Sequence, residues 1–370
     1  MSFSASIIPA LLVLGVLIII HEFGHFLACR MTGVRVEKFS IGFGPEIFSW
    51  QGRETRYAIS LLPLGGFVKP AGESISEVDA AGMKPGDYLA APLLARIFIV
   101  VAGVLMNYLL AFVLFTAIFL MGRPVPGTMI GGFVEGYPAK ASGLQVGDKI
   151  VAVDERSVKS WPELTAALEH LPSSNVRLNI ERGGQPMNIE LAPKVESIKD
   201  VFGKLHEIKR LGITPDPQAS QFEKFGLLDA LHHAWETEWF LTTMTHKAIF
   251  YLLMGKLSMK TISGPIGIIT MTGNAAHLGL PYLLQLTATL SVSLAVINLL
   301  PIPALDGGHL LFLLIEAVRR KRVSLAFQER ATQVGFFLLL TLMVFIIYND
   351  LANIDAFEKI KNLFQGAGSR

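Results

Sequence analysis

Hydrophobic residues along this chain are gathered into four long runs that are separated by segments of ordinary polarity. The runs cover residues 2–28, 97–121, 282–318 (with interruptions) and 331–348. A helix needs about 20 predominantly apolar residues to cross a bilayer, and the runs are of about this length or longer. The pattern predicts a polytopic α-helical membrane protein with about four transmembrane helices.

Composition and charge narrow the class of protein. Only 17% of the residues are charged, and the net charge of +2 does not indicate a nucleic-acid partner. The single cysteine, Cys29, excludes an intrachain disulfide and a zinc site built on two or four cysteines. Basic residues are concentrated between the first two runs and in "RRKR" at 319–322, so both connections are predicted to be cytoplasmic. Both termini and the 122–281 insert are then extracytoplasmic.

Between the first and second runs, residues 39–48 and 56–70 are apolar and broken by glycine and proline. They predict a small membrane-associated β segment on the cytoplasmic side. Two interpretations stay open: a sheet that merely caps the helices, or a strand edge that accepts an extended substrate by strand addition. In the second case the substrate contacts are predicted at Leu64, Gly65, Gly66 and Phe67.

The insert between the second and third runs predicts one small α+β domain. It alternates short β-branched runs with turns, holds a helix that begins after Ser160, and contains a hairpin with a Gly183-Gly184 turn. Residues 225–260 have helical apolar spacing but also carry charges. They predict a helix that lies on the membrane or packs on the spans, rather than a fifth crossing.

Three ionisable side chains interrupt the first run, in "HEFGH" at residues 21–25. His21 and His25 are four residues apart, so a helix places both imidazoles on one face, where they can bind one metal ion. Glu22 points about 100° away and suits a general base that acts on a water activated by zinc. Polar groups are costly inside a span, and a shared metal explains the cluster better than a chance match does.

A third ligand is predicted in the third run. Asp306 is the only carboxylate between Tyr282 and Ile315, and prolines and glycines break the helix around it. Irregular backbone at membrane depth requires cover by protein or water, which favours a place opposite the histidine pair. Asn298 either assists a substrate carbonyl or makes a helix–helix hydrogen bond. His309 is assigned to packing, because a catalytic zinc keeps one position open.

Two details of the first two runs bear on this site. His21 lies nine residues before Arg30, or about 13–14 Å from the cytoplasmic edge at 1.5 Å per residue. The metal is therefore predicted in the cytoplasmic half of the bilayer. Gly103 and Asn107, four residues apart on the second run, are interpreted as a helix-packing pair rather than as catalytic groups.

HEFGH in the first run and "NLLPIPALDGGHLL" in the third together resemble the site-2 protease family of intramembrane zinc metalloproteases, RseP type (regulator of sigma-E protease). "FSIGFGP", "LLPLGGFVK", the glycine–asparagine pair of the second run and "SGPIGI" are also similar to that group. The resemblance covers nearly the whole chain. It implies one Zn2+ per chain, Glu22 as catalytic acid–base and Asn298 as a substrate-positioning group. The zinc ligands that it implies are His21, His25 and Asp306.

The resemblance also implies a PDZ domain and a biological setting. "AKASGLQVGDKIVAVD" is similar to a PDZ core, with the groove at Leu211, Gly212 and Ile213. The setting is regulated proteolysis of single-span proteins in a bacterial inner membrane, after an upstream site-1 protease has trimmed them. Anti-sigma factors, as in the sigma-E stress response, and remnant signal peptides are the implied substrates. The best-known protein of the RseP type has two tandem PDZ domains, whereas this insert has room for one.

These interpretations divide the chain into nine predicted segments. They are transmembrane helix 1 (1–29), the cytoplasmic-side loop with the β segment (30–94), transmembrane helix 2 (95–121), the PDZ domain (122–215), an extracytoplasmic amphipathic helix and connection (216–280), transmembrane helix 3 (281–318), a basic cytoplasmic loop (319–330), transmembrane helix 4 (331–349) and a C-terminal tail (350–370).

Two other classes of protein fit the sequence less well. A metal-ion transporter would carry acidic or histidine residues along one pore, but here the polar groups converge at one depth. An inactive scaffold that binds peptide tails would show a degraded HExxH motif or lack the aspartate, and both are intact.

Overall fold

The computed structural model describes residues 3–73, 84–169, 175–199, 205–216, 219–257 and 263–353. The chain divides into two compact units. The helical unit consists of residues 1–117, 230–253 and 258–370, and the insert unit consists of residues 118–229 and 254–257. All the residues of the predicted metal site belong to the helical unit.

Helices dominate the described part of the helical unit, and one helix lies in the insert unit. In chain order they are α1 (Phe3–Thr32), α2 (Leu93–Met121), α3 (Trp161–Glu169, in the insert), α4 (Leu227–Leu253), α5 (Pro265–Leu278), α6 (Leu280–Asn298), α7 (Asp306–Arg319) and α8 (Leu325–Asn353).

Four of these helices, within the described residues, are long and apolar enough to cross a membrane. They are Ala5–Thr32 in α1, Leu93–Met121, Leu280–Asn298 and Leu325–Ala352 in α8. The predicted number of about four spans is thus confirmed by length and composition, and the chain is a multi-pass membrane protein. Helix α4 is present where residues 225–260 predicted one, and it is not among the four.

The third apolar run, which was predicted to be interrupted around Asp306, consists of two helices. Helix α6 ends at Asn298 and α7 begins at Asp306, with residues 299–305 irregular between them. Pro301 and Pro303 lack the amide hydrogen that a continuing helix needs. The break makes Asp306 the first residue of α7, so its carboxylate projects from a helix start. Helix α5 lies in the stretch that the sequence analysis treated as a connection.

Twelve strands occur in the described residues. They are β1 (Val36–Gln51), β2 (Arg56–Pro70), β3 (Arg123–Pro126), β4 (Ile130–Phe133), β5 (Lys149–Val153), β6 (Arg156–Ser157), β7 (Val176–Arg182), β8 (Gln185–Leu191), β9 (Lys194–Lys199), β10 (Leu205–Arg210), β11 (Ile213–Pro215) and β12 (Ser220–Glu223).

Strands β1 and β2 form the antiparallel sheet of the helical unit, and each strand folds back on itself. Phe39 in β1 pairs with both Val68 and Tyr57 of β2, and Trp50 in β1 also pairs with Tyr57. Two segments therefore form the outer edges of this sheet: the end of β2 near Val68, and the end of β1 near Trp50. The edge near Val68 is the one that contacts α1.

The insert unit is built around an antiparallel sheet with strand order β6-β5-β7-β8. Three two-stranded pairs, β9 with β10, β4 with β11 and β3 with β12, complete it. The predicted hairpin is β7–β8, and its turn residues Gly183 and Gly184 have φ values of 56° and 81°. Buried side chains from the sheet and from α3, among them Ile150, Leu164 and Leu178, form one hydrophobic core.

One buried ion pair in the insert unit predicts a measurable stability difference. Arg182 donates to both carboxylate oxygens of Asp148, at 2.7 and 2.8 Å, and the Asp148 side chain is 1% exposed. Arg182→Met leaves this carboxylate without its cation, and we expect the unfolding free energy of the insert to fall by about 1.5–3 kcal/mol. Hydrogen exchange of the β5 and β7 amides in the purified protein measures this.

A more exposed ion pair of the insert serves as the matched control, and the buried pair also predicts a pH dependence of stability. Arg177→Met removes a neighbouring pair that is 60% exposed on both sides, and should cost less than about 1 kcal/mol. Arg182 holds the pKa of Asp148 below its ordinary value. The stabilisation is therefore present above the ordinary carboxyl pKa of about 4 and is lost as the pH falls through the lowered value. Equal protection in both variants at pH 7 would contradict the assignment.

Candidate metal centre

The two histidines of HEFGH face each other across one turn of α1. Their ring centroids are 4.7 Å apart and their planes are nearly perpendicular, at 86°. The Nε2 atoms of His21 and His25 are 3.1 Å apart. His21 is buried at 7% exposure, although it lies in an apolar span. The four-residue spacing thus brings two imidazole nitrogens to one point, as the helix geometry requires.

Asp306 reaches the same point from α7. Its Oδ2 atom lies 3.0 Å from His21 Nε2 and 3.5 Å from His25 Nε2. The three side chains form the group of candidate metal ligands found among the described residues, and their ligand atoms all lie within 4.8 Å of one another. The structure therefore brings together the three residues that the sequence analysis named as ligands.

Glycines next to Asp306 allow the irregular segment 299–305 to fold closely over the start of α7. A Cβ at Gly307 would collide with the carbonyls of Leu299 and Leu300, and one at Gly308 would lie 2.7 Å from Pro303 Cα. The Asp-Gly-Gly sequence is thus a packing requirement of this bend. It fixes the position from which the Asp306 carboxylate projects.

The donor set fits a zinc ion. Two imidazole nitrogens and one carboxylate oxygen are ligands that Zn2+ takes in catalytic sites, with a fourth position left for water or substrate. Asp306 Oδ2 is buried, and within the described residues it has no hydrogen-bond partner apart from the two histidines it approaches. A buried anionic oxygen that faces two ring nitrogens is satisfied when a cation lies between them.

Glu22 lies beside these ligands but is held by a different partner. Its Oε2 accepts a hydrogen bond of 3.1 Å from the backbone amide of Val68 in β2. The carboxylate lines two cavities, of about 310 and 190 Å3, which both contain His21 and Asp306 in their walls. Glu22 can therefore reach a small molecule bound next to the three ligand atoms.

Asn298 and His309 complete the polar surroundings. Asn298, at the end of α6, places its Nδ2 3.4 Å from His21 Nε2 and lines the larger of these two cavities. His309 lies one turn after Asp306 on α7 and lines both cavities. It is not part of the ligand group found among the described residues.

The predicted strand contacts lie at the larger of these two cavities, the one of about 310 Å3. Gly65 and Gly66 line it together with Phe43, and the Phe67 ring stacks on Phe43 at a centroid distance of 6.2 Å. A Cβ at Gly66 would lie 3.4 Å from Glu22 Cγ, so this strand passes directly over α1. The side chain of Leu64 lies outside the described residues.

In the insert unit, the predicted groove residues line a separate cavity. This cavity has a volume of about 340 Å3. One wall is formed by Leu211, Gly212 and Ile213, and the other by Trp161 and Leu164 of α3. Gly212 has a positive φ of 81°, and a Cβ there would meet the Tyr137 side chain. The strand that begins at Ile213 pairs with β4.

Helix α2 contributes groups that the sequence analysis assigned to packing alone. His25 Nδ1 lies 2.8 Å from the carbonyl oxygen of Ile99, and His21 Nδ1 lies 3.3 Å from the side-chain amide of Asn107. Between them, Gly103 leaves room for both rings, since a Cβ there would lie 2.9 Å from His21 Cε1. The four-residue spacing of Gly103 and Asn107 was the available signal for these contacts.

Comparison with known proteins decides the family. Residues 9–342 match Peptidase family M50. The chain belongs to peptidase family M50. The resemblance to the site-2 protease family is thereby confirmed, and this M50 chain is a metalloendopeptidase.

Relatives of this M50 peptidase match it over nearly their whole length. Metalloprotease MmpA of Caulobacter vibrioides is 34% identical, and the match covers 98% of this chain and 99% of the relative. Zinc metalloprotease RasP of Geobacillus kaustophilus is 30% identical, with 94% of this chain and 97% of the relative covered. The name of the second relative agrees with the predicted Zn2+ cofactor.

One solved structure is similar to part of this M50 chain. The PDZ domain of an SdrC-like protein from Listeria monocytogenes is 21% identical, with a TM-score of 0.19, and it covers 24% of this chain and 87% of that domain. A similarity this weak does not establish the fold of the insert, so the PDZ assignment stays a prediction.

The contact of Gly103 with both imidazoles predicts the effect of one methyl group on this M50 site. Gly103→Ala should displace the His25 ring and lower metal affinity by about 10- to 100-fold, as loss of ligand support does. Metal analysis of the purified protein after dialysis against a chelator measures this. Gly15→Ala on α1 is the control, because a Cβ there meets nothing within 4 Å. Full metal retention in Gly103→Ala would contradict the geometry.

Proposed function

We propose that this chain is a zinc-dependent endopeptidase that cuts single-span membrane proteins within or near their transmembrane segment. The observation that carries the proposal is the convergence of His21, His25 and Asp306 on one point. The two histidines lie in α1, which is long and apolar enough to span a membrane, and Asp306 reaches them from α7. One Zn2+ per chain would be held by these three side chains.

The roles divide among the residues at this point. A bound Zn2+ supplies Lewis-acid chemistry, which polarises a scissile carbonyl and makes hydroxide available near neutral pH. Glu22 takes the proton from the attacking water and passes it to the leaving amine. Asn298, which lies next to His21, donates a hydrogen bond that orients the substrate carbonyl.

The depth of the site supports cleavage inside the membrane. Helix α1 is continuous from Phe3 to Thr32, and His21 is about 13–14 Å from Arg30 along it at 1.5 Å per residue. The basic residues around "RRKR" and between α1 and α2 favour the cytoplasm for both connections. On this topology, in a bacterial inner membrane, the metal lies in the cytoplasmic half and the insert and both termini lie outside.

The outer edge of β2 is the proposed docking site for the substrate backbone. The Val68 amide points at Glu22, so this edge of the sheet faces the metal ligands and the 310 Å3 cavity. A helical substrate hides its amides in its own hydrogen bonds. Once unwound, it can add as a further strand beside Gly65, Gly66 and Phe67, with its scissile bond next to Glu22.

The proposed substrates are proteins whose outer part an upstream site-1 protease has already removed. Anti-sigma factors, including those of the sigma-E type, and remnant signal peptides have this form. The insert, interpreted as a single PDZ domain with a groove at 211–213, would exclude substrates with bulky ectodomains from the metal site. The groove at 211–213 is the alternative proposed site, for a peptide tail.

Co-expression with tagged single-span substrates tests the activity. Wild type should cut at least one substrate within its span, and Glu22→Gln should lower the rate by about 10²- to 10⁴-fold while zinc is retained. Glu54→Gln is the control, since Glu54 is half exposed and pairs with Arg30. If wild type and Glu22→Gln both retain zinc and neither cleaves any member of the panel, the proposal loses its main support.

Disulfide cross-linking tests the docking edge separately. In the Glu22→Gln background, Phe67→Cys should cross-link to a cysteine near the substrate scissile bond, whereas Ile47→Cys, near the opposite edge, should not. The native Cys29 is buried and gives little background. Equal cross-linking at both positions would argue that the sheet only caps the helices.

A further inference from the structure

We propose that Asn107 is a positioning residue that fixes the tautomer and the orientation of His21. The inference rests on the proposed zinc site and assigns a role to a residue outside its ligand set. Asn107 is completely buried on α2, and its Nδ2 atom lies 3.3 Å from His21 Nδ1. Its Oδ1 atom is also buried and, within the described residues, has no hydrogen-bond partner.

The tautomer that binds metal decides which amide atom must face the ring. His21 Nε2 points at Asp306 and His25, so its lone pair has to be free and the ring proton must sit on Nδ1. A protonated Nδ1 is a donor and requires an acceptor. The amide nitrogen cannot accept, whereas Oδ1 can.

A half-turn of the Asn107 amide resolves this conflict. Rotation by 180° exchanges Oδ1 and Nδ2, which differ little in size and are assigned from the hydrogen-bond network rather than from shape. Oδ1 then accepts the hydrogen bond from His21 Nδ1, and the buried oxygen without a partner gains one. After this rotation the acceptor lies at hydrogen-bond distance from His21 Nδ1, in the position that Nδ2 occupies in the structure.

The second imidazole has an equivalent partner on the same helix. His25 Nδ1 donates to the Ile99 carbonyl at 2.8 Å, which leaves its Nε2 free for metal. Ile99 and Asn107 are two turns apart on α2, with Gly103 midway between them, where the rings make contact. Helix α2 therefore holds both rings from behind, and partners of this kind fix ligand orientation at metal sites.

Helix α2 is itself held at this position. The Ser291 hydroxyl of α6 donates to the Asn107 backbone carbonyl at 2.7 Å, and both residues are completely buried. This contact involves only the main chain of Asn107. Ser291→Ala therefore removes a packing contact of residue 107 without changing its side-chain amide, and it serves as the matched control.

The test compares metal binding in four full-length proteins purified in detergent: wild type, Asn107→Leu, Asn107→Asp and Ser291→Ala. Zn2+ affinity is measured by chelator competition, and the ligand field by the absorption spectrum of the Co2+ form. Asn107→Leu keeps the number of side-chain heavy atoms and the branch at Cγ but removes the acceptor, so we expect a 10- to 100-fold weaker affinity and an altered Co2+ spectrum. Asn107→Asp and Ser291→Ala should bind within a few-fold of wild type.

Two results would overturn the role of Asn107. One is a Zn2+ affinity and Co2+ spectrum of Asn107→Leu equal to those of wild type. The other is a loss in Asn107→Asp as large as that in Asn107→Leu, which would show that the acceptor is not what matters. A fifth protein, His21→Ala, distinguishes failure of the proposed zinc site from failure of the Asn107 role. If His21→Ala binds Zn2+ as tightly as wild type does, the zinc site itself is wrongly assigned.

Discussion

The structure depends on one constraint: polar groups placed inside an apolar span must satisfy one another, because lipid offers them no partner. His21, His25 and Asp306 meet this constraint by converging on a single point, where one cation can serve all three. Their convergence ties α1 to α7, although 280 residues lie between His25 and Asp306 in the chain. Without the carboxylate, the buried histidine pair would lack a partner that offsets its desolvation free energy. The same holds for the carboxylate without the histidines.

That convergence explains the irregular backbone beside it. A continuous helix through residues 299–305 would carry Asp306 past the histidine pair, so the chain breaks at two prolines and restarts with Asp306 at its first turn. The broken segment is partly buried, and protein packs closely against it from two directions. Gly307 and Gly308 admit its carbonyls from one side, and Gly335 of α8 admits the Pro303 carbonyl from another. The glycines of this region thus follow from the position of the carboxylate.

Sequence reasoning reached those features that rest on local physics. Apolar run length gave the four candidate spans, and the spacing of HEFGH gave the facing imidazoles. It predicted a break around Asp306 but not the residue at which α7 begins, and it did not detect α5, since hydropathy does not mark where an apolar helix restarts. Asn107 was assigned to packing because a buried amide on a span looks the same whether its partner is a backbone or a ligand ring. The Val68–Glu22 hydrogen bond depends on how β2 folds back across β1, a tertiary arrangement that no local pattern encodes. The roles of the individual site residues stay predictions.

X-ray absorption at the zinc edge, on the full-length protein in lipid nanodiscs, tests the central claim most directly. The account predicts two imidazole nitrogens with the remaining donors oxygen, and one imidazole fewer in His25→Ala. A sulfur donor, or an imidazole count that does not change in His25→Ala, would contradict the shared site of His21, His25 and Asp306.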